Sequence, residues 1–182
     1  YGHLKWGEKK LHEIGIFCKD FDTSNSLNIS NKFKIDLDSF QSGLPSSDSN
    51  IICFTDGSKL EERAGYGFTV KNGSTFEYSE NGYLGMEHTV FQSEITAIDK
   101  CCDYLKLGDY PDVTIFCDSQ AALLSLVCPR ARQNSVMGCI TSLNNVASSG
   151  NVTRKWTKAH NGYDGNEKAD EEAKNGSKND TN

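Results

Sequence analysis

Four carboxylates stand where the surrounding residues call for something else. Asp56 closes the apolar run Ile51-Ile-Cys-Phe-Thr55, and Asp118 closes the run Val113–Cys117. Glu94 falls between Phe91 and Ile98, on the apolar stripe of a helical pattern, and Asp170 lies between Ala169 and Ala173. A lone buried carboxylate costs several kcal/mol unless something compensates it. Carboxylates brought together repel one another, and their pKa values rise unless cations intervene. Hard oxygen donors suit Mg²⁺ or Mn²⁺. Two such ions could activate water and stabilise the leaving oxygen of a phosphodiester.

Each acid also has a plain structural reading. Asp118 could cap the helix that begins near Ser119. Asp56, directly before Gly57, could be a turn residue. Glu94 could favour the dipole near a helix start. Asp170, in the acidic run Asp170-Glu171-Glu172, could be a solvated surface charge. Singly these signals are weak, and their weight comes from converging on one edge of one sheet.

The elements that would bring them there can be read in order. Ile51–Thr55 reads as a central strand buried on both faces. A loop from Asp56 to Ala64 follows, then alternating segments at Gly65–Val70 and Ser74–Ser79 joined by Asn72-Gly73, a strong hairpin signal. Residues 89–106 read as a helix with the stripe Phe91, Ile95, Ile98, Cys102 and Leu105. Val113–Cys117 is a second buried strand. The strand–helix–strand order implies a right-handed crossover and parallel pairing with the first. Asp56 and Asp118 then project from the same C-terminal edge, where open α/β sheets place their sites. Helices are expected over 119–127 and, after Pro129, over 131–148. A last strand at Val152–Trp156 and a last helix over Asn166–Asn175, stopped by Gly176, complete the pattern.

Before position 49 the composition changes. Leu4, Leu11 and Ile14 suit a short amphipathic helix, and a second apolar patch runs around Phe33–Phe40. The stretch from Gln41 to Asn50 reads as a linker. The expected division is an extension over 1–48, a main domain over 49–176 and a polar tail over 177–182.

Composition bounds the rest. Among 182 residues, 36% are hydrophobic and 24% charged, a globular balance. There is no run of about 18 apolar residues, so no membrane span is expected. The chain opens at Tyr1 with Lys5, Glu8, Lys9 and Lys10 close behind, which does not read as a secretory signal. Without an initiator Met it reads as a piece of something longer. Seven cysteines with no CxxC pair read as reduced thiols in an intracellular protein, cytoplasmic or nuclear. That setting takes the meaning from the glycosylation patterns at Asn28, Asn72, Asn151 and Asn175. A net charge of −6 argues against a simple nucleic-acid binder. Two divalent ions would add +4 and bring −6 to −2, so that a loaded site would attract phosphate locally.

The strings Phe54-Thr-Asp-Gly-Ser58, Phe91-Gln-Ser-Glu94, Cys117-Asp-Ser-Gln120 and His160-Asn-Gly-Tyr-Asp-Gly-Asn-Glu-Lys-Ala-Asp170 resemble type 1 ribonuclease H over about residues 51–176. The resemblance implies that Asp56, Glu94, Asp118 and Asp170 are the metal-binding acids, holding two Mg²⁺ ions that Mn²⁺ can replace. It implies that His160 is the flexible-loop histidine that helps protons and products leave. It also implies hydrolysis of the RNA strand of an RNA–DNA hybrid, leaving a 5′-phosphate and a 3′-hydroxyl. Selectivity would come from 2′-hydroxyl contacts and helix shape. Thr89 matches a phosphate-contacting position, and Ser58, Gln92 and Ser119 sit beside ligands where substrate contacts are plausible.

Thr-Asp-Gly-Ser-Lys near the start and Gly-Asn-Glu-Lys-Ala-Asp near the end are similar to the ribonuclease H domains of non-LTR retrotransposon polyproteins. So is the short path from Asp118 to Trp156, which lacks a basic helical handle. Residues 1–48 would then be the end of a reverse-transcriptase connection region, with a covalently linked reverse transcriptase as partner. Two positions depart from the family: Ala159 replaces the glycine usual before the loop histidine, and Val90 stands where cellular members often carry a groove-reading Asn. The expected fold is α/β and ribonuclease H-like: a five-stranded mixed sheet, three antiparallel strands then two parallel, with flanking helices. One rival is another nuclease or integrase of the same superfold. A second is a catalytically weak or inactive binding module.

Overall fold

A computed structural model describes residues 31–36, 38–39, 49–128, 133–159 and 162–179. Six strands form one sheet: β1 (Lys34–Asp36), β2 (Ile51–Leu60), β3 (Arg63–Asn72), β4 (Thr75–Gly85), β5 (Asp112–Cys117) and β6 (Asn151–Trp156). Among the described residues four helices flank it: α1 (Val90–Leu105), α2 (Gln120–Ser125), α3 (Asn134–Val146) and α4 (Asp164–Lys178). The spatial order is β1-β6-β5-β2-β3-β4. β2, β3 and β4 run antiparallel, whereas β5 pairs parallel with β2 and β6 parallel with β5.

This is the expected mixed sheet with one strand more. β1 pairs parallel with β6, Ile35 opposite Arg154, so the strand count is six rather than five. The apolar patch read in the extension supplies it: Phe33 is buried and Ile35 packs against the core. Three residues are too few for periodicity to announce a strand.

Other boundaries moved outward. β2 does not stop at Thr55 but continues through Asp56 to Leu60. It turns into β3 through Glu61 and Glu62, at φ 48° and 70°. Two positive φ values in a two-residue loop match the twist of a hairpin, yet Glu-Glu carries none of the usual signals. The second hairpin turns at Gly73, φ 59°, directly after Asn72. α4 runs on past Gly176 to Lys178. The helix expected over 131–148 begins its described course at Asn134; Pro129 lies outside the described residues, as do residues 1–30 with their predicted helix.

The core has two sides. α1 and α3 cover one face with the larger cluster, including Cys53, Phe68, Val70, Ile95, Ile98, Ile115 and Leu143. On the other face α4 lies across β2, β3 and β4, where Phe54, Phe116 and Ala169 form a smaller cluster. The Phe54 and Phe116 rings stack at 5.2 Å. Glycines let both helices approach the strands. A Cβ at Gly57 would collide with the backbone of Ser93 and Glu94 on α1, and one at Gly67 with the backbone of Glu172 and Ala173 on α4. Each clash falls well inside the 3.0 Å that real Cβ atoms respect. α4 is also tethered at both ends. Lys71 pairs with Asp164 at 2.8 Å, and Arg63 donates to the carbonyls of Ser177, Lys178 and Asn179 at 3.0, 3.4 and 3.2 Å. The guanidinium thereby satisfies orphan carbonyls at the negative end of the helix dipole.

Candidate metal centre

The last paired residues of β2 and β5 are Thr55 and Cys117, so Asp56 and Asp118 are the next residue of each strand, side by side where the strands part. Thr55 Oγ1 donates to the Phe116 carbonyl at 3.2 Å and ties the two strands just below that point. Alternation sends Phe54 and Asp56 to the α4 face and Gly57 to the α1 face. Gly57 therefore admits α1 closely enough to bring Glu94 to the edge. Asp56, Glu94 and Asp118 each offer a carboxylate oxygen within 4.8 Å of the other two. Asp56 and Glu94 are buried, at 7% and 5% exposure, and Asp118 is half-buried.

Asp170 meets the cluster from α4. Its charge raises the pKa of Asp56, while its Oδ2 accepts from Lys174 Nζ at 2.6 Å, one helical turn on. It is not one of the three whose oxygens lie mutually within 4.8 Å. All four predicted acids thus converge on the same edge, three as a tight set and the fourth against Asp56.

The plain structural readings do not account for them. Ser119, not Asp118, caps α2, its side chain accepting from Ala122 N at 3.2 Å. Asp56 lies inside a strand rather than a turn. Glu94 is buried beyond the first turn's cap, which Thr89 and Gln92 form reciprocally: Gln92 N donates to Thr89 Oγ1 at 3.2 Å, and Thr89 N to Gln92 Oε1 at 2.8 Å. Ser58 is buried on β2, two residues beyond Asp56 and on the same face. Thr89, Gln92 and Ser119 serve as helix caps. His160 lies outside the described residues.

Crowding sets the electrostatics. Asp56 is pushed up to about 8, first by burial, then by the charges of Asp118 and Asp170. Glu94 is raised well above the ordinary carboxylate range, again chiefly by burial and then by Asp56 and Asp118. Hydrogen bonds from the Gly57 backbone oppose both shifts without cancelling them. Negative charge in this cleft is therefore costly until a cation joins it. The donor set is oxygen only, from three carboxylates with a fourth alongside, and it fits hard divalent ions rather than zinc or copper.

Three supporting residues were not foreseen. Trp156 Nε1 donates to the Asp118 carbonyl at 2.8 Å and fixes the backbone on which that acid is mounted. Cys117 Sγ approaches Glu94 Oε2 at 3.7 Å. Lys174 is the third, and its spacing of four from Asp170 was the available signal.

The family model described as RNase H matches residues 48–178, well over half of the chain. The chain belongs to the RNase H family. Solved RNase H structures share its fold. RNase H1 of the archaeon Halobacterium salinarum superposes with a TM-score of 0.58 at 15% identity, covering 69% of this chain and 96% of that one. The N-terminal RNase H domain of a Mycobacterium tuberculosis protein, determined as a fusion with maltose binding protein, gives a TM-score of 0.58 at 18% identity and covers 71% and 94%. No curated protein matches the chain. No helix among the described residues of this RNase H chain is long and apolar enough to cross a membrane.

Proposed function

We propose that the chain is an endonuclease that hydrolyses the RNA strand of RNA–DNA hybrids, with two Mg²⁺ ions as cofactors and Mn²⁺ able to substitute. The observation that carries this reading is the meeting of Asp56, Glu94 and Asp118 within 4.8 Å at the parting of two parallel strands, in a chain of the RNase H family. Bound divalent ions would supply water activation and stabilisation of the leaving oxygen. The protein's part is to position them. Asp56, Glu94 and Asp118 would hold the ions, with Asp170 completing the set. Burial keeps the carboxylates poorly solvated, so their oxygens are available to a cation rather than to water. His160, four residues before α4 in the sequence, would accept and release protons. Ser58, Thr89, Gln92 and Ser119 flank the acids and would touch the substrate, although Thr89, Gln92 and Ser119 already spend one hydrogen bond on capping.

Hybrid selectivity would rest on 2′-hydroxyl contacts in the minor groove. The motif flavour supports a setting inside a retroelement polyprotein, working in the cytoplasm or nucleus, with residues 1–48 ending a reverse-transcriptase connection region whose β1 joins the nuclease sheet, 49–176 forming the rest of the nuclease, and a tail over 177–182 whose first residues still belong to α4. Nothing in the site favours an inactive binding module, because no acid is missing.

The test is cleavage of a labelled hybrid, single-stranded DNA and duplex DNA in parallel, by wild type and Asp118→Asn. Wild type should cut only the RNA of the hybrid, leaving 5′-phosphate ends, and only with Mg²⁺ or Mn²⁺. Asp118→Asn should lose at least about a hundredfold in rate, the scale expected for removing a charge aimed at the reacting centre. It should fold at least as stably as wild type without metal, since one repelling charge is gone. Preference for DNA, or no divalent-dependent cleavage at any enzyme concentration, would overturn the assignment.

A further inference from the structure

Lys174 pairs with Asp170, one of the four clustered acids, at 2.6 Å. Lys59, Lys71, Lys100, Lys106, Lys155 and Lys168 pair with Glu62, Asp164, Asp103, Asp36 and Glu172. The pair is half in solvent, with the two side chains 42% and 23% exposed. Asp170 is placed between two neighbours. Its charge helps to push up the Asp56 carboxyl, and its Oδ2 accepts from the ammonium. It is also the one acid outside the tight set of three. A cation drawn to Asp170 therefore meets a resident positive charge on the carboxylate it would use.

We propose that Lys174 is a positioning residue that acts as a built-in counter-ion: it holds Asp170 in the metal-free protein and competes with a divalent ion for that carboxylate. This rests on the reading of the acids as a divalent-ion site. The consequence is an asymmetric centre. An ion held by Asp56, Glu94 and Asp118 does not have to displace Lys174, whereas an ion that needs Asp170 does. Lys174 would then set the metal concentration at which the second position fills. Its backbone is held within α4, where Ser177 Oγ donates to its carbonyl at 2.7 Å. The ammonium can swing to solvent without disturbing the helix.

The test is calorimetric titration of Mn²⁺ into the wild-type chain, Lys174→Met and Lys174→Arg, with Asp170→Asn and the double variant completing a cycle. Lys174→Met should bind the weaker ion about threefold to tenfold more tightly, the scale of one partly screened unit charge removed from a few ångströms away. Lys174→Arg should behave as wild type, and Lys174→Met should change nothing in the Asp170→Asn background. Thermal midpoints give a second readout. Lys174→Met should melt lower than wild type in chelator and lose that deficit in saturating Mn²⁺, whereas a merely structural lysine would cost the same in both. Unchanged or weaker Mn²⁺ binding by Lys174→Met, with wild type still binding Mn²⁺ and cleaving hybrid, overturns the counter-ion role alone. Absence of Mn²⁺ binding by wild type overturns the metal-site reading as well.

Discussion

The chemistry of the site is legible in one side chain, Asp56. Its carboxyl is held at about 8 in the metal-free fold, against an ordinary 3.8, by burial and by two neighbouring acids. An acid whose folded pKa is raised binds a proton more tightly in the native state than in the unfolded chain. Its contribution to stability is complete below about pH 4 and is lost as pH climbs through about 8. Chelated wild type should therefore show a falling urea midpoint between about pH 5 and pH 9. Asp118→Asn should flatten that fall, because the Asp118 charge is the second cause of the shift. Cation binding must displace the same proton, so the Mg²⁺ concentration for half-maximal cleavage should drop as pH approaches about 8. A requirement for Mg²⁺ that stays constant across that range would show that Asp56 does not hold the cation.

At the scale of elements, the site depends on how closely two helices reach the central strands. Gly67→Ala would press a methyl into the backbone of Glu172 and Ala173. Backbone atoms cannot rotate aside, so α4 must lift, at a cost of about 1–3 kcal/mol. Asp170 would move with it, and urea unfolding with parallel cleavage assays should show both losses together. β6 makes the opposite case. Arg154 is fully buried, stacked on Phe33 at 3.7 Å, and none of its guanidinium nitrogens has a hydrogen-bond partner among the described residues. Burial lowers its pKa to about 10. Exchanging an uncompensated buried charge for an apolar side chain of similar length is commonly neutral or stabilising. Arg154→Met should melt at or above the wild-type midpoint and Arg154→Ala below it, the latter leaving a cavity. A marked fall for Arg154→Met would reveal a partner for that guanidinium. Neither device shows in the sequence, where Gly67 is one glycine among 16 and Arg154 an ordinary basic residue in a strand. What was legible came from pattern: buried runs for β2 and β5, helical spacing that set Glu94 inward, and an order of elements that made β2 and β5 parallel. Asp56 was misread as a strand end because the Glu61–Glu62 turn uses positive φ without glycine or asparagine. β1 was missed because its pairing with β6 is a long-range contact that three residues cannot advertise.

Across the whole molecule, charge and fold pull in different directions. An RNase H fold is expected to hold a polyanionic hybrid, yet 25 acidic residues outnumber 19 basic ones. Hybrid affinity in this family must come from phosphate contacts, and each of those needs a cation or a donor facing the groove. Several lysines on the described surface are already engaged with carboxylates, among them Lys59, Lys71, Lys100, Lys106 and Lys155. Exposed pairs of this kind are weak, but they lower the positive field that would steer a duplex in. The chain by itself is therefore expected to bind hybrid weakly. A labelled hybrid titrated in chelator at low salt, where no cleavage competes, should give a dissociation constant of about 1 µM or weaker, the range of non-specific electrostatic binding. Added salt should weaken it only gently, since few phosphates are neutralised. Nanomolar affinity under those conditions would mean that a basic surface lies outside the described residues, and that the acidic balance of the chain is a poor guide to its groove.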